Sequence, residues 1–430
     1  MSETAPSRVP RWLPLVATLL VVVGLAVLAR QAATKSIDFP VYHRAAQQIL
    51  AGNYELYPPE AYGGTPHPSQ GFRYAPAIAF LFFPLGWFGL ETAALLFYVL
   101  KLVALWWVGT IIARRIGYTN WGRWTFLAAF LVVGGYLAEE LRFGNAHFFV
   151  VMLMVIAFDR AEAGKVLTPA LALAVAIATK LTPLALLAYF AVRRRFALCA
   201  ATIAMLVALV FLPAVVMGVD GNARQLRAFA SYATEKVDEG DNYSLRGIVV
   251  RYLTPGLEDS SHIRANVADV SMTVVNAIWL VGLGVLGVAG LIAIWRDVDD
   301  PIARMLEFSL VMTGIVLASP HTQRRYYVAF WVPAVLLAML WSRSTDQHDR
   351  RRVRMGLLAM GLPASVLPLF FGGHRLALIY EAASPYTIGG LILYAVLVAM
   401  TRARKSALAG RTEPAVARTA SGNLSAQIGV

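Results

Sequence analysis

Cysteine and charge are what this sequence has least of. It holds one cysteine, Cys199, and only 15% Asp, Glu, Lys and Arg, against 58% hydrophobic residues. One cysteine excludes an internal disulfide and a thiolate metal cluster. Cys199 stands in an apolar run and reads as a buried small hydrophobe. So little charge excludes an ordinary soluble domain, where about 25% of residues are charged. Histidines 43, 67, 147, 262, 321, 348 and 374 show no H-x-x-x-H spacing, so no metal site and no cofactor is expected. The G-x-G-x-x-G match from Gly282 to Gly287 lies inside an apolar run with no strand before it. It reads as close helix packing, not as a nucleotide loop. No internal repeat is visible, which counts against a transporter built of inverted halves.

Acidic residues are the scarcer sign, 25 against 38 basic, for a net charge of +13. On a soluble protein this would point to nucleic acid. Here the basic residues cluster in short loops between apolar runs, as the positive-inside rule requires, and no nucleic-acid partner is expected.

What the chain does have is apolar length. The runs 12–29, 91–112, 124–138, 146–158, 166–178, 181–192, 196–217, 273–294, 305–319, 326–341, 355–371 and 386–400 qualify as spans, several of them short. They predict an all-α polytopic membrane protein with about 11–13 transmembrane helices. The first run is longer than a signal-peptide core and other spans follow it, so it reads as an uncleaved span. The run 74–89 is short and broken by Pro76 and Pro84. If it dips in and out, most short arginine-rich loops (114–123, 160–165, 193–195, 343–354) share one face with both termini. That face is then cytoplasmic. Residues 1–400 form a single membrane domain with outer loops 30–73 and 218–272. Residues 401–430 read as a disordered cytoplasmic tail.

Asp38 is the first carboxylate after Glu3 and precedes a short amphipathic helix starting near Pro40 and ending at Gly52. It is either that helix's N-cap or a base, or both. Glu139, Glu140, Arg142, His147, Lys180, Arg246, Arg251, His321, Arg324 and Arg325 map with it to outer ends of spans. Lys180 interrupts two apolar runs with no acid beside it, as a solvated turn or as a cation for a ligand. Ser319 to Tyr327 puts His321, Arg324 and Arg325 at a helix junction, as interfacial anchors or as phosphate contacts. Lys101 sits within a span, where an ionisable group marks function unless it snorkels.

The segment Asp38-Phe-Pro-Val-Tyr42, with Leu50-Ala-Gly52 and Leu56-Tyr57, resembles the first outer loop of glycosyltransferase family 87, a GT-C type group. Further resemblances follow in order: Phe72-Arg-Tyr74-Ala-Pro76, Gly144-Asn145, Lys180-Leu-Thr-Pro183, Asn242-Tyr-Ser244-Leu-Arg246-Gly247 with Arg251, and Ser319-Pro320. The resemblance implies a GT-C type helical bundle with amphipathic jaw helices in the first outer loop. It implies transfer of a sugar, typically mannose, from a polyprenyl-phosphate donor to a lipid or glycan acceptor, with inversion and without a metal. Asp38 takes the place of the general base. Lys180, Arg246, Arg251, His321, Arg324 and Arg325 are expected to supply the donor-phosphate contacts, and Tyr42, Asn145 and Asn242 further substrate contacts. Where the family often has Gly-Gln, this chain has Gly144-Asn145. Where it often has Trp and paired His, this chain has His321-Thr-Gln-Arg-Arg-Tyr-Tyr. The expected setting is a bacterial-type plasma membrane, with membrane lipids as partners and the site on the outer side. A lipid-linked oligosaccharide flippase and an O-antigen ligase or polymerase are the alternatives.

Overall fold

The computed structural model describes residues 12–57, 59, 71–233, 241–255, 263 and 265–425. His67, His262, parts of the loops 30–73 and 218–272, and residues 426–430 lie outside them. Among the described residues the regular structure is entirely helical. In lipid this follows from the backbone, because a helix satisfies its own peptide groups where no water can.

Helix α1 (Trp12–Lys35) leads to the short amphipathic α2 (Phe39–Leu50). The Pro-rich stretch forms α3 (Pro76–Ala79) and a 3-10 turn over Phe80–Trp87. It is too short to cross a bilayer, which needs about 20 residues, and packs against α2. Helix α4 (Leu90–Arg115) is a full span. Next come α5 (Arg123–Val132) and α6 (Gly134–Phe143), bent 85° from each other, then α7 (His147–Glu162), α8 (Leu167–Thr179) and α9 (Leu184–Val192). A second 85° bend separates α10 (Phe196–Phe211) from α11 (Ala214–Ala233). The chain ends with α12 (Leu245–Leu253), α13 (Met272–Ile294), α14 (Pro301–Ala318), a 3-10 turn over Arg324–Phe330, α15 (Trp331–Arg343), α16 (Gln347–Gly361), α17 (His374–Ala382) and α18 (Pro385–Ser425).

The all-α polytopic class is what the apolar runs predict. Among the described residues six helices are long and apolar enough to cross a membrane, or eight if each bent pair is one span. Apolar runs give a higher count because several fold as half-length or bent helices packed within the bundle. Alanines let them approach: Ala170, Ala172, Ala174 and Ala176 are buried where α8 meets α7 and α10. Apolar area does not drive helices together in lipid, so close packing of small residues has to.

The bundle's basic end is tied by ions. Glu307 on α14 is fully buried and accepts Tyr189 Oη at 2.9 Å, Lys405 Nζ at 2.5 Å and Arg304 Nη1 at 3.5 Å, with Arg193 as a further partner. Asp300 caps α14 by accepting the Ala303 N–H at 2.7 Å, and Arg404 grips it with two nitrogens at 2.8 and 3.1 Å. Burial by itself would raise this carboxyl's pKa; the Arg404 and backbone hydrogen bonds outweigh it and hold it below the usual aspartate value. Arg404 and Lys405, at the start of the segment read as a tail, lie on α18 and are held by these bonds.

Candidate active site

The site is built on the junction between α6 and α7, at the end of the bundle opposite the Glu307 network. Gly144 ends α6 in the left-handed conformation, φ 69°. A side chain there would also collide with Phe39, whose Cβ lies 2.6 Å from where a Cβ would stand. Glycine thus lets the start of α2 lie directly on the turn. There the Asp38 N–H donates to Phe143 O at 3.0 Å.

Although Asp38 stands at the N-cap position of α2, its side chain makes no capping hydrogen bond. Its Oδ2 instead accepts Asn145 Nδ2 at 2.9 Å and faces Arg325 Nε at 3.3 Å. Asn145 Oδ1 in turn accepts the His147 N–H at 2.8 Å, which ties it to the first turn of α7. Oδ1 of Asp38 has no protein donor among the described residues. The carboxylate is 12% exposed, enough to be reached from outside.

Beside it lie the cations. Lys180 caps the C-terminus of α8 and has no carboxylate partner among the described residues; its Nζ sits 2.9 Å above the Tyr326 ring. Tyr326 packs on His147, ring centres 4.8 Å apart. His147, Lys180, Thr182, Ser319, Thr322 and Tyr326 line a small cavity. Ile315 and Val316 also line it, and Ile315 belongs as well to an apolar groove of about 420 Å³ between α9, α13, α14 and α18. Gly287, Gly290 and Gly314 give this groove its width.

Tyr42 faces the same region from α2. Its hydroxyl meets Tyr74 Oη at 2.8 Å, and its ring stacks on Phe82 at 4.7 Å. Burial first, then the neighbouring Tyr74 and Asp38, push its phenol well above the usual value, so it remains a neutral hydroxyl.

The other cations named from the sequence are otherwise engaged. Arg324 lies 3.7 Å from Glu139 and 3.9 Å from Glu381. Arg246 bonds Asn276 at 3.2 Å on α13. Arg251 is buried and donates to Ser384 Oγ at 2.7 Å and to Asn242 O at 3.3 Å. Asn242 donates to Pro320 O at 2.9 Å, and its Oδ1 accepts the N–H groups of Ser244 and Thr322, both at 3.1 Å. The Asn242–Arg251 stretch therefore clamps the segment 319–327, which carries His321 and both arginines. Gly247 belongs to that clamp: a Cβ there would fall 2.1 Å from Asn242 O. His321 stands in the clamped turn, where its carbonyl accepts Ser319 Oγ at 2.6 Å.

Asp38, Tyr42, Asn145, Lys180 and Arg325 thus lie in one region, while Asn242 and Arg251 hold the frame. Sequence reasoning missed Tyr326, which could have been suspected only from its place beside Arg325. It also missed the partnership of Lys101 with Glu140, which lie 3.3 Å apart and are both buried.

Within this bundle of membrane helices, a carboxylate held at one oxygen thus shares one region with Lys180 and an apolar groove. The model of glycosyltransferase family 87 matches residues 72–320, more than half of the chain. The chain belongs to that family and is a membrane glycosyltransferase. Asp38, Arg324 and Arg325 lie outside the matched stretch; Asn145, Lys180, Asn242 and Arg251 lie within it. No curated protein matches the chain.

Proposed function

We propose that this glycosyltransferase moves a sugar, mannose, from a polyprenyl-phosphate donor to a hydroxyl of a lipid or glycan acceptor on the outer face of a bacterial-type plasma membrane. The observation that carries the reading is Asp38, fixed through Oδ2 by Asn145 and Arg325 and open at Oδ1. Oδ1 takes the acceptor hydroxyl's proton as that oxygen attacks C1 of the sugar. The bond from C1 to the phosphate oxygen breaks on the opposite face, which inverts the anomeric centre. The departing phosphate takes up the electron pair as negative charge, stabilised by Lys180 and Arg325. A phosphate needs no acid to leave, so one base suffices. Of the rival carboxylates, Glu140 is sealed in against Lys101 at 1% exposure, and Glu139 faces Arg324 at 3.7 Å. The apolar groove that shares Ile315 with the Lys180 cavity suits the polyprenyl tail. Helix α2 and the turn 80–87 stand as the jaw that excludes water from the donor. The Glu307 ion network, at the end of the bundle away from Asp38, favours the enzyme over a flippase, which needs a path through the bundle.

The test is to incubate purified protein with polyprenyl-phosphate mannose and a membrane lipid extract and to identify the product by mass. Wild type should form a mannosylated product, and correctly folded Asp38→Asn should form essentially none. Near wild-type transfer by Asp38→Asn would overturn the role of the base. Transfer only from a pyrophosphate donor would favour a ligase or polymerase.

A further inference from the structure

Lys101 and Glu140 are the most deeply buried ion pair near the site, each 1% exposed. Lys101 lies midway along α4, where an ammonium ion is costly unless it is partnered. Its Nζ faces Glu140 Oε1 at 3.3 Å and donates to Glu140 O at 2.8 Å. It also lies 5.0 Å from the Phe97 ring centre, and Phe97 packs on Phe39 at 5.0 Å.

Glu140 makes one more contact. Its Oε1 accepts the Phe148 N–H at 3.1 Å. The N-cap residue of α7, Ala146, has no side chain able to cap, so two residues outside the helix take the free N–H groups. Asn145 accepts from His147, and Glu140 from Phe148. Glu140 thereby closes a bracket across residues 143–146. That bracket carries the contacts that seat Asp38 from this side: Phe143 O on its N–H, Gly144 against Phe39, and Asn145 on its carboxylate.

We propose that Glu140 is a positioning residue for Asp38, with Lys101 as the counter-ion of its buried carboxylate. Glu140 sets the 143–146 turn, and through it the distance between the base and the acceptor hydroxyl. This rests on the reading of Asp38 as the base. A residue serving only stability would act on the amount of folded protein. A positioning residue acts on the rate of each folded molecule.

Three variants separate these roles, each measured as kcat and donor KM per folded protein. Lys101→Met with Glu140→Gln removes both charges together and leaves an amide oxygen for the Phe148 N–H. It should keep kcat within a few-fold of wild type. Lys101→Met with Glu140→Leu also balances charge but removes the acceptor. It should lower kcat on the order of 10²-fold, the scale of a 1 Å misplacement, with donor KM unchanged. Glu140→Asp keeps the charge and draws the carboxylate back by one methylene, so that it cannot hold both partners. It should lower kcat about tenfold, a smaller displacement on the same scale. Wild-type kcat in either the Leu double variant or Glu140→Asp would overturn the proposal, and Glu140→Asp decides if the Leu variant does not fold. Asp38→Asn is run in parallel. If it stays active the base assignment itself fails; if it is dead while the Glu140 variants are unimpaired, only the positioning role fails.

Discussion

Replacing Gly144 by alanine is expected to separate activity from stability, because two costs meet at one atom. An L-residue at φ 69° costs roughly 1–2 kcal/mol. The added Cβ would also stand 2.6 Å from the Cβ of Phe39. Ordinary carbon contacts lie at about 3.5–4.0 Å, so Phe39 must retreat by roughly 1 Å. Asp38 is its chain neighbour and moves with it, away from Phe143 O and Asn145. A displacement of about 1 Å at a reacting group costs on the order of 10²-fold in rate. Gly52 supplies the control. It closes the far end of α2 at φ 71°, and a Cβ there meets nothing within 4 Å. Gly52→Ala should therefore pay about the same backbone cost of 1–2 kcal/mol and keep its activity. The assay pairs thermal unfolding in detergent with sugar transfer per folded protein. If the two variants lose stability alike and both keep wild-type turnover, the reasoning about the 143–146 turn is refuted.

Asn145→Ala removes a hydrogen bond to a charged oxygen and should lower kcat about 10–100-fold, read as initial rates at saturating donor. Asn242→Ala leaves the buried N–H of Thr322 without its acceptor. It should lower unfolding free energy by about 1–3 kcal/mol, measured by denaturant or thermal melts, and weaken donor binding as the 319–327 segment loosens. Asp300 gives a pH prediction. Its folded carboxyl titrates below the ordinary value near 3.9, so its stabilisation is complete above that value. It is lost as pH falls through the unfolded pKa and on through the lower folded one. The melting-temperature gap between wild type and Asp300→Asn should therefore shrink on acidification through that window; a gap constant with pH would refute the assignment.

The motifs of the loops between the apolar runs were legible in the sequence, but only some of their contacts were. Asp38 was open to two readings, and the structure removes the cap: the carboxylate turns away from its own helix and toward Asn145. Asn242 and Arg251 looked like substrate contacts because polar residues in a loop of a membrane enzyme ordinarily are. Their polar atoms also fix one segment of chain to another. Nothing in a linear spacing could tell them from Lys180, because the difference lies in what stands opposite. Arg251 faces Ser384, 133 residues away. Lys180 faces the Tyr326 ring, with no carboxylate partner among the described residues.

The sequence alone determined that this chain is a bundle of membrane helices, because a bilayer leaves a long apolar run no other way to satisfy its backbone. It also determined where the irregular stretches fall, since proline, glycine and charge break those runs locally. The tertiary structure decided which charges neutralise one another. Ion pairing depends on distances of a few ångströms between segments remote in the chain, and apolar periodicity carries no record of them. Glu140 is spent on Lys101, Glu139 on Arg324 and Glu307 on three cations. Asp38, paired with Arg325 yet 12% exposed where Glu140 and Glu307 are sealed in, stands apart from those two only in three dimensions.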